Sequence, residues 1–84
     1  MIESKCRAYV RVGEEAGRVL TNIFGYGGAI STAVSGCDLV VGIVGAPVLR
    51  IPIVDVERAP RDMFDLRSWL LNNIVLPQCF PNGL

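Results

Sequence analysis

Residues 25–54 read GYGGAISTAVSGCDLVVGIVGAPVLRIPIV, and only Asp38 and Arg50 carry charge within them. Such a stretch has two physical solutions. As a helix, it places Gly25, Ala29, Ala33 and Cys37 along one edge and Gly28, Thr32 and Gly36 along the next, a small-residue face at four-residue spacing. In lipid, such a face lets two helix backbones approach closely. The expected helix-packing interface is therefore Gly25, Gly28, Ala29, Thr32, Ala33 and Gly36, with GYGG as a flexible glycine turn the plainer alternative.

As strands, the Val- and Ile-rich half divides into Leu39–Val44 and Val48–Val56, joined across Gly45, Ala46 and Pro47. Apolar runs this short cannot be assigned by periodicity. Pro52 confines the second strand to an edge, and a hairpin alone is marginal in water. The strand solution therefore needs a covering helix or a second copy.

The energy of a membrane span is close to balance. From Ile30 to Val48 the eight Ile, Leu and Val residues supply about −2.4 to −4.8 kcal/mol, and a central Asp38 costs about +2.5 to +3.5 kcal/mol. A span this marginal is expected inside an assembly, where Asp38 faces protein, water or a cation and becomes a candidate buried polar contact. The simpler role for Asp38 in S-G-C-D is a turn or a helix cap.

Outward from this stretch, residues 3–24 predict an amphipathic helix. Tyr9, Val12, Ala16, Val19, Leu20 and Ile23 recur at helical steps, while Arg7, Arg11, Glu14, Glu15 and Arg18 fall mainly elsewhere. Glu14 and Glu15 are expected on a solvated face. Gly13 and Gly17 cost the helix about 1 kcal/mol each relative to alanine, which points to close packing or to a helix that forms against a partner. After a connector at 49–59, a second amphipathic helix is expected over 60–76: Pro60 opens it, Asp62 and Asp65 suit its positive end, and Met63, Leu66, Trp69, Leu70 and Ile74 form its apolar face. Phe64, Arg67 and Trp69 are candidates for a membrane-surface anchor. Pro77 and Pro81 predict an irregular tail at 77–84.

Composition narrows the classes. Hydrophobic residues make up 51% of the 84 residues and the mean hydropathy is +0.45, at or above the upper edge for water-soluble domains. One small unit is expected, with a core thin enough that something else covers part of its surface. Eight Lys and Arg balance eight Asp and Glu, so no nucleic-acid partner is expected.

No histidine occurs, and Cys6, Cys37 and Cys79 lack the spacing of a metal or redox motif, so they are expected as free thiols with Cys37 buried. G-Y-G-G lacks the G-K-[ST] ending of a phosphate loop. No catalytic residue, cofactor or metal is expected, and the first dozen residues show no cleavable signal peptide. Glycine-spaced membrane helices occur in unrelated proteins, so this pattern describes a packing mode and assigns no family.

The leading expectation is thus a mainly α, membrane-associated protein with one glycine-rich hydrophobic helix at 25–48 between two amphipathic helices. Its job would be that of a non-catalytic structural or accessory subunit in a larger membrane complex or virion, with other protein subunits and the bilayer as partners. The alternative is a soluble α+β homo-oligomeric binding or structural protein with a hairpin at 39–56.

Overall fold

Ser4 opens the first helix by accepting a hydrogen bond from Arg7 N at 3.3 Å in the computed structural model, which describes residues 4–25 and 28–83. Helix α1 runs Lys5–Phe24 and stops at Gly25, whose φ of 77° suits a residue without a Cβ and whose N–H reaches Thr21 O. Of the expectations above, those resting on Glu3, on Tyr26 and Gly27 of the GYGG turn, and on Leu84 lie outside the described residues. Ala8, Val12, Ala16, Val19 and Leu20 form the buried stripe of α1.

Within the stretch expected as a helix at 25–48, the chain instead forms two strands, β1 Ser31–Ser35 and β2 Asp38–Gly42, which join β3 Leu49–Pro52 in an antiparallel sheet of order β1-β2-β3. The mainly α fold is therefore overturned, and the α+β alternative fits the architecture. Gly36 explains part of the choice. It begins the two-residue turn between β1 and β2 with φ 61° while Cys37 keeps a negative φ, the pattern of a type II′ turn, whose twist matches that of the strands it joins. Packing explains the rest. Leu39 and Val41 of β2 and Leu49 and Ile51 of β3 alternate inward and are buried against α1 and the later helices, which water rewards only when a covering layer exists.

Among the described residues, no helix is long and apolar enough to cross a membrane. That removes the basis for the transmembrane helix and for the membrane localisation. Alpha1 is long enough but carries Arg7, Arg11, Glu14, Glu15 and Arg18.

The hairpin of β2 and β3 lies close to the strands of the α+β alternative, but the second strand ends at Pro52 and the chain turns into helix α2, Ile53–Arg58. Residues 49–59 are thus a strand and a helix and not an extended connector. The last helical region begins with α3, Met63–Leu70, capped by Asp62, whose Oδ2 accepts from Phe64 N at 3.0 Å and Asp65 N at 3.1 Å. It continues through a π-helical turn, Leu71–Val75, into α4, Leu76–Cys79. Pro77 does not stop it. The N–H of Leu76 bonds to Leu71 O, five residues back, and the widened turn brings the proline in without the close approach a regular helix would impose.

Two side-chain placements differ from expectation. Cys37 is exposed in the β1–β2 turn because both turn residues point away from the core. Glu15 is 1% exposed and is not on a solvated face. Its Oε2 accepts from Arg18 Nη1 at 3.1 Å and its Oε1 from Arg67 Nε, so α3 brings the second of two cations that make the burial of a carboxylate affordable. Tertiary packing also accounts for Gly13 and Gly17. A Cβ there would lie 2.8 Å from Thr32 Cγ2 and 2.5 Å from Ile30 Cγ2, distances that real Cβ atoms do not tolerate. Both glycines let α1 settle onto the chain leading into and through β1.

Candidate functional site

The two edges of the sheet differ, and hydrogen-bond alternation shows how. In an antiparallel ladder, residues spend their backbone groups alternately on one neighbour and the other. Ser35 and Asp38 flank a two-residue turn and face each other, so they exchange bonds, as do the pairs two residues on. Ser31, Ala33 and Ser35 therefore point their N–H and C=O at β2, and Thr32 and Val34 point theirs away from it. Counting onward through the β2–β3 register, Arg50 should point outward from β3. It does: Arg50 N donates to Gln78 Oε1 at 2.9 Å and Arg50 O accepts from Gln78 Nε2 at 2.6 Å.

That side-chain amide stands in for one residue of a fourth strand. The β3 edge is further closed by Pro52, which has no N–H, and by Arg50, whose guanidinium lies 3.4 Å from Asp38. On β1, among the described residues, no strand lies beyond Thr32 and Val34. All five β1 residues are exposed, and the strand has neither charge nor proline.

Beside this open edge runs a groove lined by Val10, Glu14 and Arg18 of α1 and by Ile30 and Thr32. Val10 and Val34 are each 55% exposed, so apolar surface flanks the unspent backbone groups. Glu14 and Arg18 approach to 4.0 Å, and the groove has no net charge. The helix that forms its wall is fixed from behind by the Glu15 to Arg67 pair and by Arg11 Nη1, which donates to Pro60 O at 2.7 Å.

The residues singled out in the sequence are dispersed by this fold. Gly25 caps α1, Gly28 and Ala29 lead toward β1, Thr32 and Ala33 sit on opposite faces of β1, and Gly36 makes the turn. They form no common helix face, since the segment is not a helix. Asp38 begins β2, half-buried, with Arg50 as its partner. Of the proposed surface anchor, Phe64 is 77% exposed, Trp69 packs half-buried against the core, and Arg67 is committed to Glu15.

The chemistry at hand is limited. Burial pushes the Cys79 thiol up from its ordinary value, away from the reactive thiolate. Among the described residues, no three His, Cys, Asp or Glu side chains converge to hold a metal. Sequence patterns missed Glu15, Val34 and Gln78. The partners of Glu15 and Gln78 are 52 and 28 residues away, and only Val34, apolar in a run without charge, left a local trace. Comparisons with protein-family models, curated proteins and solved structures find no match.

Proposed function

We propose that this chain is a non-catalytic protein-binding module with a structural role, which works by adding a strand of a protein partner to the free edge of β1. The observation that carries this reading is the pairing of unspent backbone groups at Thr32 and Val34 with the adjoining groove, in which Val10 and Ile30 sit beside the Glu14 and Arg18 pair, while the opposite edge is closed. Strand addition takes its affinity from main-chain bonds and its selectivity from pockets for alternate side chains. Both elements adjoin here. A strand laid along β1 directs every second side chain toward α1 and the groove.

The test is Val34→Lys. Val34 is more than half exposed, so lysine leaves the folded chain intact and places a charge where the incoming strand must be apolar. Proteins cross-linked to the wild-type chain in its native host should be lost from the variant. Retention of all of them would sink the reading.

A further inference from the structure

We propose that the strand received by β1 is the β1 strand of a second copy, antiparallel to the first about a two-fold axis at Thr32, giving one sheet that runs through both copies. This rests on the edge-binding reading above and specifies its partner. Three observations select a second copy.

Register comes first. Ile30 continues the inward-facing row of Thr32 and Val34: its side chain packs under Gly17, as Thr32 packs under Gly13. With the axis at Thr32, Ile30 faces Val34 of the partner copy, Thr32 faces Thr32, and Val34 faces Ile30. All three outward-pointing residues of each copy then find complements, making about six N–H···O bonds. An axis at Ala33 would instead set Ile30 against the turn at Gly36.

Side-chain chemistry comes second. An antiparallel self-pair about an axis sets each residue opposite itself or a near neighbour, so any charge close to the axis meets its own kind. From Gly28 to Cys37 no residue is charged. The facing pairs are Ile with Val and Thr with Thr on the inner face and Ser31 with Ala33 on the outer, all compatible. Val34 of each copy comes to the groove of the other, against Ile30 and beside Val10. The groove's own charges, Glu14 and Arg18, compensate each other, and the chain as a whole has no net charge to repel its copy.

Closure is the third. A chain with two open edges that paired with copies of itself would grow into a fibre. Here Gln78 and Pro52 occupy the far edge, and an isologous β1 pair consumes the only edge left open among the described residues. The assembly stops at two.

Sedimentation equilibrium on the full chain tests this. The weight-average mass should rise from 9.1 kDa to twice that value and no further as concentration climbs from roughly 1 µM to several hundred µM, the regime of a small interface. Val34→Lys should weaken the dimer by about tenfold or more, and Val48→Lys, at a comparably exposed valine in the β2–β3 loop, should leave it unchanged. Amide exchange on the wild-type chain needs no variant: the Thr32 and Val34 amides should slow as concentration rises, while those of Gly28 and Ala29 should not. A wild-type chain that stays monomeric, or whose Thr32 and Val34 amides exchange independently of concentration, overturns self-pairing. If Val34→Lys nevertheless abolishes cross-linking to other proteins, edge binding survives and only the identity of the partner falls.

Discussion

The two outer strands belong to one small sheet, yet β3 has its edge occupied by a glutamine side chain and β1 presents backbone to its surroundings. The difference is not one of hydrophobicity, since Leu49 and Ile51 make β3 the more apolar strand. It lies in what surrounds each strand. Alpha4 returns beside β3 and delivers Gln78 at the height of Arg50, whereas α1 lies across the inner face and leaves a groove along β1. A single amide with both a donor and an acceptor thus closes an edge that a longer element would otherwise have to cover.

Substitutions can break or sharpen that contrast. The largest effect is expected from Arg67→Ala, which leaves the buried Glu15 carboxylate with Arg18 alone. We expect a loss of about 2–3 kcal/mol in chemical denaturation, below the roughly 3–5 kcal/mol of a buried pair broken outright because one cation remains. Adding Glu15→Leu to that variant should recover part of the loss. No recovery would mean that Arg67 acts through packing and not through charge. Since Glu15 holds the groove-forming helix in place, the same variant should loosen the β1 side of the sheet more than the β3 side, readable in amide exchange.

Next comes Gly17→Ala. The added methyl meets Ile30, and overpacking of about 1–3 kcal/mol exceeds the roughly 1 kcal/mol that alanine gains as a helix former. A net loss in thermal stability is expected, and a gain would show that Ile30 moves aside freely. Gln78→Ala should cost only about 1 kcal/mol, because the Arg50 backbone groups it uncovers can bind water. Its informative consequence is in assembly. With both edges open, species larger than a dimer should appear in sedimentation, and a chain that keeps its wild-type mass distribution would show that Pro52 and Arg50 suffice to close β3. Asp38→Asn should do least, below about 1 kcal/mol, since Asp38 is only half-buried and its Arg50 partner is exposed, so solvent screens the pair.

The elements readable in the sequence are those set by neighbours along the chain. The amphipathic repeat of α1 and the apolar face of the last helix arise from contacts within one or two turns, although that helix starts at Met63 behind an Asp62 cap and not at Pro60. The β2–β3 pair was visible as an alternative because Val and Ile cluster there. Beta1 was not. S-T-A-V-S has residues small enough to line a helix face, and because all five stay exposed the strand lacks the in-and-out alternation that marks a half-buried one. Small-residue spacing points to a helix for that segment, and the type II′ turn at Gly36 together with a buried β2 on its far side makes it a strand.

What the sequence determined by itself was therefore local and compositional: a long amphipathic first helix, a late helix with Leu66, Leu70 and Ile74 on its buried face, and neutrality of charge. Tertiary structure alone decided that the uncharged middle would fold as a sheet, that Glu15 would be buried, and that one sheet edge would be closed while the other stayed open. The physical reason is sequence distance. Arg67 and Glu15, Gln78 and Arg50, and Gly17 and Ile30 meet only once α1 and the last helices pack around the strands, and no periodicity in a linear chain records which distant side chain will arrive to satisfy a buried charge or an exposed backbone edge.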